Sequence, residues 1–322
     1  MKKILLIFTG GTIMCTTENG IMSIDENMGA YLVDAYKKTS GDDSTEFEMM
    51  TPFVMLSENM SLALWNRLVK MLAGVDFEKY EGVIITHGSD TLAYTSALVG
   101  MLYRHTKVPI IITAANKPVN EKGSNGLFNF RSAVKLIKEK RYPGVFTVYE
   151  QVYLSTRLIP ADTYLDRFSS YGGEPFEGVS ENRLKKPRER LIDPDITLEK
   201  SITVVNPYPG FDYTSVNLSS RPAAVLHTLY HSGTACTDGE GKNSLISFID
   251  KCKALDIPLY LCGTKGRGAG IYESASRYID KGVSTIDRIS DVAAYVKLLI
   301  AYNQKEINPA RYIYSNVFFE ML

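Results

Sequence analysis

Two short segments carry the residue types that nucleophilic chemistry needs. Thr9-Gly10-Gly11-Thr12-Ile13 follows the apolar run Ile4–Phe8, and His87-Gly88-Ser89-Asp90-Thr91 follows the apolar run Val83–Thr86. The first could be a phosphate-cradling turn, but it matches neither G-x-G-x-x-G nor G-x-x-x-x-G-K-[ST]. Its bland reading is a tight strand-to-loop turn, against which stands the Thr12 hydroxyl. In the second, Ser89 or Asp90 could cap a helix by accepting backbone N–H bonds. Capping accounts for one of the two, not both. The remaining hydroxyl–carboxylate pair fits nucleophile activation or capture of an ammonium group. A third segment, Ala114-Ala115-Asn116-Lys117-Pro118, follows the apolar run Val108–Thr113. His227 and His231 stand four apart as zinc ligands might, but they lie on a predicted strand end, and Glu does not follow His227. Cys15 is more often a small buried hydrophobe than a nucleophile.

These segments need elements to hold them. Short apolar strands alternate with amphipathic helices: Leu62–Ala73 carries Trp65, Leu68, Val69 and Leu72 on one stripe, and Thr91–Arg104 and Gly126–Lys140 read as further helices. Strands apolar on both faces, in this rhythm, predict an α/β fold with a mainly parallel sheet flanked by helices. In such a sheet ligands bind beyond the carboxyl ends of the strands, which is where all three segments fall. From about Tyr171 to Asp195 the chain turns rich in Gly, Pro and charge, as a loop does. The reading is two α/β domains: an N-terminal one over residues 1–190 with the main site loops, a linker over 191–212, and a smaller one over 213–322. Lys plus Arg and Asp plus Glu number 36 each, so no charge footprint for nucleic acid or an anionic membrane is visible. No run approaches the ~20 apolar residues of a membrane span. Ile4–Phe8 is shorter than the about 7–15 residues of an export h-region. The four cysteines lack C-x-x-C spacing, so neither a zinc site nor a disulfide framework is expected. A cytoplasmic location follows as the expectation.

Taken together, the loops resemble the bacterial-type L-asparaginase family over nearly the whole chain. The most specific evidence is the ordered pair Thr9–Ile13 and His87–Thr91, each after a strand. Support comes from Ser57-Glu58-Asn59-Met60, Ala115–Pro118, Ser124-Asn125-Gly126 with Asn129, Tyr208-Pro209-Gly210, and Gly268–Tyr272. The resemblance implies hydrolysis of L-asparagine to L-aspartate and ammonia, without metal or cofactor, in a homodimer or homotetramer of the cytoplasmic branch. By the same resemblance Thr12 matches the nucleophile and Ser89 a second catalytic threonine. Asp90 matches the holder of the substrate's α-ammonium, and Ser57 a binder of its α-carboxylate. Glu58 falls at the α-amino end. Gly11, Gly88 and Ala115 line the substrate, with backbone near Ser89 and Ala115 as the oxyanion site. The partner expected is a small amino-acid amide.

The match breaks at specific positions. After Gly20, Ile21 stands where the family has a mobile-loop tyrosine. Aligning the family's arginine with Arg157 puts Pro160 at its lysine, and proline offers neither amine nor N–H. Asn125 replaces a usual aspartate, and Glu58 adds a carboxylate where many members are neutral. Tyr31, Tyr153 and Tyr164 are candidate substitute phenols. Lys117 and Lys265 are candidate amines, with a solvated surface lysine as the commoner role for each. Losing one acid–base group costs about 10²–10⁴ in rate. Two other readings therefore stand beside asparaginase: an amidohydrolase for another small amide or ester, and a catalytically weak amino-acid-binding protein. A nucleotide-dependent oxidoreductase would suit the α/β class but lacks its fingerprint.

Overall fold

The central strands are those whose sequence is apolar on both faces. In the computed structural model, which describes residues 2–239, 241–264 and 270–322, β1 (Lys3–Phe8), β5 (Tyr80–Thr86), β6 (Pro109–Thr113) and β7 (Gly144–Tyr149) are buried almost throughout. Burial on both faces suits strands covered by helices on each side. With β4 (Phe47–Met50) and β8 (Gln151–Leu154) they make a six-stranded sheet in the order β4-β1-β5-β6-β7-β8. Every pairing is parallel except β7 with β8.

Between β1 and β4 the chain makes a hairpin, β2 (Cys15–Glu18) with β3 (Ile21–Ile24), and then α1 (Met28–Ser40). Asn19 and Gly20 turn the hairpin at φ 51° and 78°. Positive φ at both positions of a two-residue loop matches the twist of the strands it joins. The helix α2 (Leu62–Ala73) buries Trp65, Leu68, Val69 and Leu72, the stripe read from sequence, and Ser61 Oγ accepts the Leu64 N–H at its start. Its neighbour α3 (Leu92–Leu102) is buried at every position but one, as a helix apolar all round should be. The helix α4 (Gly126–Lys135) runs on into a π-turn, Leu136–Lys140. There Lys138 Nζ donates to Asp42 Oδ2 at 2.8 Å, and the Thr45 and Tyr36 hydroxyls donate to the same oxygen. This ties the turn to the loop after α1. A second hairpin, β9 (Leu158–Asp162) with β10 (Arg167–Ser170), and the short α5 (Glu181–Lys185) follow.

The chain divides into two compact units, Met1–Thr197 and Leu198–Leu322. The strand β11 (Ile202–Val205) lies inside the stretch read as a linker and forms the edge of a second sheet. That sheet runs β11, β12 (Ala224–Thr228), β13 (Leu259–Cys262), β14 (Ser284–Ile286), all parallel. Around it lie α6 (Leu245–Ala254), α7 (Glu273–Asp280), α8 (Asp291–Asn303) and α9 (Pro309–Ile313). His227 is buried on β12, its ring stacked on Tyr213 and its Nε2 2.8 Å from the Tyr213 hydroxyl. It is a core histidine. Lys297 on α8 and Glu320 are both fully buried, 2.5 Å apart, and Glu320 also accepts the Val317 and Phe318 N–H groups. A buried pair satisfied in this way avoids the large penalty of an uncompensated charge. Among the described residues no helix is long and apolar enough to cross a membrane.

Candidate active site

Four neighbouring parallel strands, β4, β1, β5 and β6, end on the same side of the first unit's sheet. The segments that follow them hold Ser57 and Glu58, Gly11 and Thr12, Gly88 to Asp90, and Ala115. Backbone bonds stitch these segments together. Gly11 N–H donates to Met55 O at 2.9 Å, Met55 N–H to Thr9 O at 3.1 Å, and His87 N–H to Thr113 O at 2.8 Å. Gly11 sits at φ 78°, ψ 175°, a region essentially confined to glycine. A Cβ there would overlap the Gly88 N and Cα atoms and the His87 carbonyl carbon. At Gly88 it would overlap Ser57 Oγ and Cβ. The two glycines therefore allow one backbone to lie on the other, and Thr12 and Ser89 each follow that contact by one residue. Both side chains are half-buried.

The opening loop then spends its other polar groups. Thr12 starts a single 3₁₀ turn, with Met14 N–H bonded to Gly11 O. Cys15 donates its thiol to the same carbonyl at 3.4 Å. Burial, and secondarily the Glu58 charge, raise its pKa, so Cys15 stays a neutral thiol and not a nucleophile.

Ser57 is buried and Asp90 exposed. Ser57 Oγ accepts the Asp90 N–H at 3.2 Å and donates to Asp90 Oδ2 at 3.4 Å, while Thr91 Oγ1 donates to Ser57 O at 2.9 Å. Thr91 is the N-cap of α3 and makes no side-chain cap bond. Neither the Ser89 nor the Asp90 side chain is spent on capping that helix, so capping does not account for this motif. The result is a carboxylate held at the rim by a buried hydroxyl, suited to a ligand's ammonium group.

Beyond β6, Asn129 Nδ2 donates to Ala114 O at 2.9 Å and Asn129 Oδ1 accepts the Glu150 N–H at 2.7 Å. Asn116 and Asn125 exchange backbone N–H to side-chain Oδ1 bonds, each 2.9 Å. Asn125 Nδ2 then donates to Glu150 Oε1 at 3.3 Å. An aspartate at 125 would set two carboxylates against each other, so the amide suits its neighbour. Ile21 opens β3 with 71% of its surface exposed, and Pro160 is an exposed residue of β9. Tyr153 donates its hydroxyl to Phe168 O and receives Gln151 Nε2. Tyr31 is exposed on α1, Tyr164 lies 94% exposed, and Lys117 is exposed. Lys265 and Gly268 lie outside the described residues. Arg157 is buried and paired with Glu174 at 2.6 Å. Among the described residues no group of three His, Cys, Asp or Glu is arranged to hold a metal ion.

Sequence reading misses one part of this site. His87 is fully buried between β5 and α3, with Nδ1 2.8 Å from Gly88 O and Nε2 2.9 Å from Thr95 Oγ1, which receives Trp65 Nε1–H at 3.0 Å. Burial pushes the His87 pKa down to about 4. No local pattern announces a contact between residues on two different helices.

The family model described as asparaginase, N-terminal, matches residues 3–190, more than half of the chain and all of the loops just described. The chain belongs to the asparaginase family. An L-asparaginase of Thermococcus kodakarensis is 27% identical over 316 residues, 93% of this chain and 92% of its own. The L-asparaginase 1 of Escherichia coli K12 is 28% identical over 240 residues, 70% of this chain and 69% of its own. The crystal structure of L-asparaginase I from Vibrio cholerae superposes with a TM-score of 0.80 at 19% identity, covering 100% of this chain and 99% of that one. This last likeness is one of fold, and it matches the mainly parallel, helix-flanked sheets of an asparaginase.

Proposed function

We propose that this asparaginase-family chain is an amidohydrolase that converts L-asparagine to L-aspartate and ammonia, with Thr12 as nucleophile. The observation that carries the reading is the Gly11–Gly88 contact, one residue ahead of both Thr12 and Ser89, with the Ser57–Asp90 pair in the same group of loops. In this reading Asp90 takes the substrate's α-ammonium, Ser57 its α-carboxylate, and Glu58 adds attraction at the amino end. Thr12 Oγ attacks the side-chain carbonyl, the C–N bond breaks as ammonia leaves with a proton, and water then hydrolyses the acyl-enzyme. Backbone N–H groups near Ser89 and Ala115 receive the oxyanion, a role worth about 3–4 kcal/mol per donor. Matching the Thermococcus L-asparaginase over nearly its full length supports this reading. We assign the protein to the cytoplasm as a homodimer or homotetramer, in keeping with four free thiols.

Ile21 and Pro160 favour a second reading, slow turnover or tight amino-acid binding without it. Ammonia release across the common amides decides between them, with Thr12→Ala as control. Release from asparagine that vanishes in Thr12→Ala is the expected result. Binding of asparagine or aspartate with no release from any amide would select the second reading.

A further inference from the structure

We propose that His87 is a positioning residue: held between Thr95 and Gly88, it clamps the Gly88 carbonyl and thereby aims the Ser89 N–H at the substrate's amide oxygen. The proposal rests on the amide-hydrolysis reading of the site.

The direction of the chain follows from donor chemistry. An indole N–H can only donate, so Thr95 Oγ1 accepts from Trp65 Nε1. The Thr95 hydroxyl keeps its proton and a second lone pair, so the sense of its bond to His87 Nε2 is set from the other end of the ring. Gly88 O can only accept, so Nδ1 carries the proton that faces it. A neutral imidazole protonated on Nδ1 has a lone pair on Nε2, and the Thr95 hydroxyl donates to it. Every link has one allowed sense, and every polar atom in it is satisfied. Trp65, Thr95 and His87 are all buried, and burial keeps the ring neutral.

The consequence passes through the peptide plane. In a trans peptide the carbonyl and the following N–H point in opposite directions. With Gly88 O drawn into the protein by the imidazole, the Ser89 N–H is turned the other way. Among the described residues no acceptor meets that N–H, whereas the next amide, Asp90 N–H, is taken by Ser57 Oγ. It stands one residue past the Gly11–Gly88 contact, as Thr12 does on the other strand's loop. A free donor of fixed direction beside a nucleophile is what an oxyanion requires.

The test uses Thr95→Val, which keeps the shape and removes the donor to His87 Nε2, and Thr95→Ser, which keeps the hydroxyl. Thr95→Val is expected to lower kcat for asparagine by about 10–100-fold, a misaimed oxyanion donor costing less than a deleted one. KM and the dissociation constant of aspartate stay within about threefold, because those contacts lie at Ser57 and Asp90. Thr95→Ser restores kcat. The chain has four histidines, few enough to resolve His87 by ring ¹⁵N NMR, which should show the Nδ1–H tautomer in the wild type and its loss in Thr95→Val. The proposal is overturned by an Nε2–H tautomer in the wild type, or by wild-type kcat in Thr95→Val. It is equally overturned if kcat and aspartate binding fall together without rescue by serine. A wild type that releases no ammonia from asparagine would sink the amide-hydrolysis reading and this inference with it, an outcome distinct from the other three.

Discussion

Gly11→Ala is the sharpest perturbation the geometry offers. The residue sits at φ 78° and ψ 175°, where a side chain is strained by about 1–3 kcal/mol. The added Cβ also meets backbone atoms of His87 and Gly88, which cannot swing aside as a side-chain tip would. Forced overpacking adds about 1–3 kcal/mol. Alanine's smaller entropy in the unfolded chain returns about 0.4–1 kcal/mol. The net loss is about 1–6 kcal/mol, and at about 2–4 °C per kcal/mol for a unit of this size it lowers Tm by roughly 2–20 °C. The assay is thermal unfolding alongside ammonia release, with Gly20→Ala as control. Gly20 has the same φ of 78° but nothing within 4 Å of its Cβ position, so it carries the strain without the overlap and should melt well above Gly11→Ala. Equal melting temperatures for the two variants, or full activity in Gly11→Ala, would refute the backbone-on-backbone account of the site.

Two further outcomes follow. Removing the extra rim charge with Glu58→Gln should improve aspartate binding by roughly 3–10-fold while weakening asparagine slightly, an effect that shrinks in high salt; unchanged affinities for both would remove Glu58 from the ligand's surroundings. The Lys138 ammonium, with the Thr45 hydroxyl, holds the Asp42 carboxyl well below the usual carboxylate range. A depressed carboxyl stabilises above its unfolded value, near 4, and that contribution disappears as pH falls. Lys138→Met should therefore melt below wild type at pH 7, with the gap closing as pH drops below about 4; a gap constant down to about pH 3 would contradict the assignment.

How far the sequence announces this molecule depends on where each element sits. Ile4–Phe8, Val83–Thr86 and Val108–Thr113 are legible as buried parallel strands because helices on both sides demand apolar residues at every position. Trp65, Leu68, Val69 and Leu72 are legible because they fall at helical spacing on the one buried face of α2. The hairpin at Cys15–Ile24 is not, since Ile21 and Met22 are exposed and the strands show no clean alternation. Asn19-Gly20 is the one local signal for it. The first-unit site loops are legible from their position after strands, and Ser57, Asp90 and Gly88 do meet. The His87–Thr95–Trp65 chain is not legible, because Thr95 lies 30 residues from Trp65 and a threonine in a helix looks neutral until its partner is folded against it. Asn125 reads as a loss from its own position alone, because the Glu150 that explains it lies 25 residues away.

That last pair bears on how such a chain can change. Asn125 and Glu150 form a unit in which the amide of one answers the carboxylate of the other, and contacting residues of this kind are not additive under substitution. A library that varies one position at a time would read each residue without its partner and miss the dependence between them. An aspartate at 125 is better matched by a neutral residue at 150, so the two positions are best exchanged as a pair. Designs that graft the usual catalytic residues onto this scaffold should move the two positions together from the first round.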